Sequence, residues 1–175
     1  MNRDEFGREF LTLYGHAVAH YARGQRDART FFDARQQAFL AANGLTAQHL
    51  YDYAEDDCNG GEPGPAEALA IELVRRDYFL NQQGGAPSPV VLDEASLPAK
   101  SAAVRGIGWL PRLMPKARAK LRGELPSSLM YCCSGDRRFF RTHNILPSEF
   151  LACVAKHEND NQAVVDWVVA RGRNS

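Results

Sequence analysis

A stretch rich in glycine and proline divides this chain of 175 residues into two parts. Residues 82–89 read QQGGAPSP, and both glycine and proline oppose a regular helix or strand. On either side, apolar residues recur at three- and four-residue spacing, which is typical of amphipathic helices. We therefore expect an acidic N-terminal helical subdomain over residues 1–82, a linker over residues 83–97 and a basic C-terminal helical subdomain over residues 98–175.

The apolar pattern predicts a mainly α fold, a compact multi-helix protein of two helical subdomains. The first helix is expected over residues 4–23, with Phe6 and Phe10 on its inner face and Gly24 at its end. Strand signals are sparse. The apolar run LMYCC at residues 129–133 is the best candidate, so we expect at most one short β segment, near this run.

Charge is distributed unevenly along a chain whose formal net charge is zero. Residues 1–95 hold 8 basic and 15 acidic side chains, whereas residues 96–175 hold 13 basic and 6 acidic ones. The two parts therefore have unlike surfaces. One consequence is a possible homodimer, in which the acidic part of one chain docks on the basic part of another and separates as ionic strength rises.

Composition is that of an ordinary globular protein, with 45% hydrophobic and 24% charged residues. No apolar run approaches the roughly 18 residues that a membrane span needs, so none is expected. The first residues, MNRDEF, lead directly into an amphipathic helix and lack the apolar region of a signal peptide. These features indicate a cytoplasmic location.

The four cysteines do not show the spacing of a zinc site or a disulfide framework, because no CxxC or CxxH pair occurs. Cys132 and Cys133 are adjacent in the sequence, and adjacent cysteines rarely form a disulfide with each other. Reduced structural thiols are the interpretation that this pattern favours, because cysteine is among the most buried residue types. A reactive thiol at Cys132 or Cys133 is the alternative.

The segment WLPRLMPKARAKLRG at residues 109–123 predicts a basic amphipathic helix. Its leucines form one stripe, and Arg112 and Lys116 lie on another. Arg137 and Arg138 in a following short turn of helix would extend the positive surface. Our leading hypothesis is a binding module that recognises an acidic protein surface or an anionic small molecule through these four residues, without a cofactor. A solvated charged face is the alternative, and whether the chain is an enzyme stays open.

A series of ordered motifs begins at the same segment. They are WLPRL at residues 109–113, KARA at residues 116–119, Gly123, Tyr131, Asp136 to Phe139, Glu149 to Leu151 and Asp160 to Val168. In this order they resemble an uncharacterised bacterial family, domain of unknown function 5069, over roughly residues 98–170. That family has no established activity, so the resemblance implies a fold and no catalytic residues.

A histidine and two carboxylates share one face of a third helix, which we expect over about residues 47–57. His49, Asp52 and Asp56 lie three and four residues apart, a geometry compatible with a carboxylate–histidine metal site. One helix seldom supplies every ligand of a metal, so the site would need a further residue. A small metal-dependent enzyme that uses these three residues is therefore the alternative function, and salt bridges to basic side chains are the structural interpretation.

Residues 39–50 imitate the corner of a DNA-binding helix-turn-helix. The helix that would enter the groove carries four acidic side chains between residues 52 and 57, which DNA phosphates repel. The sequence therefore argues against sequence-specific DNA binding. A similar corner occurs at residues 144–150, and we interpret both as a common way of packing two helices.

Overall fold

Helices account for most of the chain that the structure describes, residues 1–172 of this computed structural model. These residues contain eight α-helices and one two-stranded sheet, so the predicted mainly α fold is confirmed. The chain divides into two compact units between Ala86 and Pro87, within the stretch predicted to be the linker. Of the helices described, none is both long and apolar enough to cross a membrane.

The N-terminal unit is built from four helices. Asn2 and Asp33 cap the first two, because each side chain accepts a hydrogen bond from the backbone NH three residues later. The first helix packs against the third and fourth helices and buries Phe6, Phe10 and Leu13. The helices are α1 (Arg3–Ala22), α2 (Ala34–Ala42), α3 (Ala47–Gly60) and α4 (Gly64–Asn81).

The C-terminal unit places a small antiparallel hairpin before four further helices. Val104 pairs with Ile107, and Arg105 and Gly106 between them have positive φ angles of 53° and 79°, as a tight two-residue hairpin turn requires. The elements are β1 (Ala103–Val104), β2 (Ile107–Gly108), α5 (Leu110–Arg122), α6 (Ser134–Thr142), α7 (Pro147–Lys156) and α8 (Asn161–Gly172).

The position predicted for the β segment was wrong. Residues 129–133 form a turn that leads into α6, and the strands lie at residues 103–108 instead. Tyr131 and Cys132 are buried, which explains the apolar run. Cys132 has a φ of 70°, a left-handed conformation that interrupts an extended strand.

The two units repeat one backbone design at an offset of 100 residues. Helix α2 covers residues 34–42 and α6 covers residues 134–142. After α2, Leu45 N donates to Leu40 O over 2.9 Å, and after α6, Ile145 N donates to Phe140 O over 3.0 Å. The residue before each donor is left-handed, with φ of 76° at Gly44 and 50° at Asn144.

The repeat between the two units includes more than the helix-turn-helix corner that the sequence suggested. It also includes the first and third helices of each unit. In each unit the first helix packs on the third and fourth. The buried positions recur in register as Phe10 and Leu110, Leu13 and Leu113, Ala17 and Ala117, Tyr21 and Leu121, Leu40 and Phe140, Leu45 and Ile145, Leu50 and Phe150, Ala54 and Val154. The corner, which the sequence led us to interpret as a common way of packing two helices, is therefore only one part of a longer repeated arrangement.

Gly44 provides a test of the packing at this corner. Its φ is 76°, and a Cβ atom there would lie 2.5 Å from Cγ of Phe79, a buried side chain. We expect Gly44→Ala to lower the free energy of unfolding by roughly 1–3 kcal/mol more than Gly24→Ala, because overpacking adds to the backbone strain. Gly24 is the matched control, since its φ is 88° and no atom lies within 4 Å of its Cβ position. Urea denaturation measures both, and equal losses would contradict the expected clash.

Candidate functional site

The site begins with the unusual backbone of Trp109, the residue that precedes α5. Trp109 has φ of 68° and ψ of −31°, a left-handed conformation that costs a residue with a side chain about 1 kcal/mol or more. Two hydrogen bonds hold it there. Trp109 N donates to Ala102 O over 3.2 Å, and the indole Nε1 donates to Asp136 Oδ1 over 2.9 Å.

Asp136 is the centre of this network, and its side chain is 0% exposed. Its second oxygen, Oδ2, accepts from Lys116 Nζ over 2.6 Å and from Cys132 N over 2.9 Å. The Lys116 side chain is 3% exposed, so the two charges form an ion pair that is shielded from water. A buried carboxylate with three donors and a counter-charge is fully compensated, which is the condition for burying it.

The position of Asp136 in α6 explains part of this geometry. It is the third residue of the helix, where a carboxylate interacts favourably with the positive end of the helix dipole. Its side chain turns back to the amide of Cys132, before the helix, much as a capping-box residue does. Asp136 therefore holds two left-handed residues, Trp109 and Cys132, with one carboxylate.

A thiol also contacts the ion pair. Lys116 Nζ lies 3.2 Å from Cys133 Sγ, and Cys133 is partly exposed. All four cysteines, which lie at residues 58–153 of the described chain, are free. Burial raises the pKa of the Cys153 thiol to about 11, so that thiol is protonated at neutral pH. This agrees with the structural role predicted for the cysteines, at least for Cys153.

Beside the network lies an open groove of about 410 Å³, which we call the Trp109 groove. This volume is within the range of small-molecule sites. Arg138 lies at this groove with its side chain exposed, and its guanidinium has no hydrogen-bond or ion-pair partner among residues 1–172. The lining consists of residues 106–108 of the hairpin with Trp109, Gly135, Arg138, Phe139, Thr142 and His143.

The glycine in the wall of the groove is needed for the position of the indole. A Cβ atom at Gly135 would lie 2.5 Å from Cζ2 of Trp109, so any other residue would push the ring away. On the other side, the rings of Phe139 and His143 are 4.5 Å apart between centroids. Burial lowers the pKa of His143 below its ordinary value, so its imidazole is neutral at neutral pH.

The C-terminal unit can now be placed among known families. The family described as Domain of unknown function (DUF5069) matches residues 97–175. The family predicted from the motifs after Trp109 is thereby confirmed. No curated protein and no solved structure matches the chain. The Trp109 groove and the Asp136 network both lie in the DUF5069 segment.

The four basic residues predicted to bind a partner have different surroundings within the DUF5069 segment. Lys116 is buried against Asp136. Arg112 is largely covered, donating to Pro98 O over 3.0 Å and lying 3.4 Å from Glu94, and Arg137 donates to Cys132 O over 2.7 Å. Arg138 alone of the four lines the Trp109 groove. The partner-binding role of all four stays a prediction.

The three residues of the alternative metal site lie on α3, in the N-terminal unit. Asp52 Oδ1 accepts from Gln48 Nε2 over 2.6 Å. Within residues 1–172, the structure brings no three His, Cys, Asp or Glu side chains into an arrangement that could hold a metal ion. The metal-binding role of His49, Asp52 and Asp56 stays a prediction.

Sequence reasoning missed Trp109, Gly135 and His143 as site residues. The signal that was present is the DUF5069 motif itself, whose Trp109, Lys116 and Asp136 turn out to contact one another. Pattern alone assigned Lys116 to a charged surface, because basic residues are seldom buried. The carboxylate that compensates it lies 20 residues further along the chain.

The ion pair predicts a large effect of removing one charge. We expect Asp136→Asn to lower the free energy of unfolding by about 3–5 kcal/mol, because Lys116 keeps its charge without a compensating carboxylate. Adding Lys116→Met to Asp136→Asn is expected to regain part of this loss, because it removes the uncompensated ammonium while the amide oxygen at position 136 can still accept a hydrogen bond. Asp166→Asn is the control, since Asp166 pairs with Arg105 on the surface, where a pair contributes about 1 kcal/mol or less. A loss at Asp136 no larger than the loss at Asp166 would refute the role given to the pair.

His143 predicts how stability depends on pH. Its imidazole binds a proton near pH 6.5 in the unfolded chain but only at lower pH in the folded one, because burial lowers the folded pKa. The unfolded state therefore binds more protons as the pH falls below about 6.5, and the folded state loses stability. Relative to His143→Asn, the wild-type chain should lose free energy of unfolding as the pH falls from about 7.5 to 5. Denaturation of both proteins across this range checks the sign, and a difference that stays constant would disprove the assignment.

Proposed function

We propose that the DUF5069 segment is a binding module for a small molecule that carries a planar ring and an anionic group, held in the Trp109 groove. The observation that supports this most directly is the unpartnered Arg138 guanidinium at a groove with aromatic walls. Arginine is well suited to a carboxylate or phosphate, which its planar fork contacts through two parallel hydrogen bonds. Trp109 and Phe139 offer surfaces for a ring.

The other side chains of the groove suit a ligand of this kind. His143, neutral at neutral pH, retains one donor and one acceptor. Thr142 Oγ1 donates to Arg138 O over 2.9 Å, so it can offer the ligand an acceptor. Gly106, Gly108 and Gly135 leave backbone atoms accessible. The indole Nε1 is not available to the ligand, because Asp136 already accepts its hydrogen bond. Only the ring of Trp109 therefore contributes.

An acidic protein surface is the other partner class that the sequence predicted. A broad protein contact would need several exposed cations, whereas Arg112, Lys116 and Arg137 already donate to atoms of their own unit. This favours a small anion in a groove over an acidic protein on a surface. The bacterial origin, the cytoplasmic location and the homodimer between oppositely charged parts stay predictions.

Tryptophan fluorescence tests the proposal. The chain has two tryptophans, so a Trp167→Phe background leaves Trp109 as the only indole. Phenyl phosphate, which combines a ring and an anion, should quench Trp109 more strongly than phenol or inorganic phosphate at equal concentration. Arg138→Ala should weaken phenyl phosphate binding about tenfold or more, because a charge-assisted hydrogen bond is lost.

Lys156→Ala is the matched control in the same unit. It removes one exposed positive charge at the end of α7, away from the lining of the groove. An equal effect of both substitutions would show a response to net charge and would overturn the proposal. So would a lack of quenching by phenyl phosphate.

A further inference from the structure

We propose that the N-terminal unit contains a second ligand site, equivalent in position to the Trp109 groove, and that it takes a zwitterionic small molecule of the amino-acid class. The site is a groove of about 550 Å³ in residues 1–43. We call it the Met1 groove. Its ligand class differs from that of the Trp109 groove because the equivalent residues carry different charges.

At an offset of 100 residues the two grooves occupy corresponding stretches of the chain, although Arg8 and Glu9 lie within α1 whereas Gly108 and Trp109 precede α5. Each groove lies where the first helix of its unit begins and along the nine-residue helix, α2 or α6. At an offset of 100 residues, six lining positions coincide. The pairs are Arg8 and Gly108, Glu9 and Trp109, Arg35 and Gly135, Phe39 and Phe139, Ala42 and Thr142, Asn43 and His143.

The substitutions between the grooves change their chemistry. Glu9 stands where the other groove has the indole, and Arg35 stands where it has the glycine that accommodates that indole. The position equivalent to Arg138 is Ala38. Compared with the Trp109 groove, the Met1 groove therefore lacks the indole wall and the arginine, and it carries charges of both signs.

The charged side chains of the Met1 groove are mostly uncommitted. Glu5 is used locally, since its carboxylate accepts from Asn2 N over 3.1 Å in the cap of α1. In the part of the chain that the structure describes, the side chains of Arg8, Glu9 and Arg35 make no hydrogen bond or ion pair. Two guanidinium groups and one carboxylate are thus available to a ligand.

Arg76 of α4 holds two parts of the lining of the Met1 groove in place. Arg76 Nε donates to Asn43 Oδ1 over 2.6 Å, and Arg76 Nη2 donates to Met1 O over 3.0 Å. One arginine therefore ties the end of α2 to the chain before α1. Phe39 stacks on buried Phe6 with 5.9 Å between ring centroids and supplies an apolar surface.

These features together define the ligand class. A carboxylate fits the guanidinium groups of Arg8 and Arg35, and an ammonium fits the carboxylate of Glu9. Met1 and Phe39 offer apolar contact to a side chain of the ligand. An amino acid with an apolar side chain combines all three requirements in one small molecule.

Methyl NMR of the full chain tests the site with defined probes. The chain has three methionines, of which Met1 lines this groove, whereas Met114 and Met130 lie in the other unit and serve as internal references. L-Leucine should shift the Met1 methyl signal in a saturable manner and leave the other two unchanged. Isocaproate lacks the ammonium of leucine and isoamylamine lacks its carboxylate, so each should bind about tenfold more weakly.

Two variants test the carboxylate and the guanidinium of the Met1 groove separately, and a third variant is the control. Glu9→Gln should remove the preference for leucine over isocaproate, and Arg35→Ala should reduce the preference for leucine over isoamylamine. Arg23→Ala is the control, because Arg23 is an exposed arginine at the end of α1 that does not line the groove. It should leave both preferences intact.

The proposal is overturned if leucine leaves the Met1 signal unchanged, or if Arg35→Ala and Arg23→Ala behave alike. Met1 reports on this groove and Trp109 on the other, so failure of either site is observed separately. A Met1 shift caused equally by all three probes would show a response to apolar contact alone and would also reject the zwitterionic ligand.

Discussion

The ammonium of Lys116 and the carboxylate of Asp136 are in contact inside the C-terminal unit, where water reaches neither. Each charge alone would cost several kcal/mol to bury, and together they are tolerated only in a geometry that satisfies both. Because Lys116 lies on α5 and Asp136 on α6, this requirement fixes the two helices relative to each other. Removing one partner therefore costs more free energy than the intact pair contributes to net stability.

The N-terminal unit has no buried ion pair at the positions that correspond to Lys116 and Asp136. There, His16 Nδ1 and Gln36 Nε2 lie 3.4 Å apart at the surface. Here the two helices depend on apolar contacts, such as the buried Leu13 and Leu40. The repeated design thus needs a contact between these positions but does not need an ion pair.

Local patterns predicted the helices well, because amphipathic spacing, caps and glycine stops act within a few residues. The first helix ends just before Gly24, as the sequence indicated. The site was less accessible to prediction. Whether Lys116 faces water or a carboxylate depends on a residue 20 positions away, and no periodicity encodes that contact. The apolar run at residues 129–133 indicated burial correctly for Tyr131 and Cys132 but was mistaken for a strand, because burial and extension produce the same local pattern.

Trp109 and Cys132 are both held in left-handed conformations by the carboxylate of Asp136. Fraying of the first turn of α6 would therefore release the indole and the Cys132 turn in a single local opening. The wall of the groove and the start of the helix form one cooperative unit, although they are far apart in the sequence. A molecule that packs on the indole would consequently slow hydrogen exchange at the amide of Cys132, which belongs to a different loop and does not line the groove.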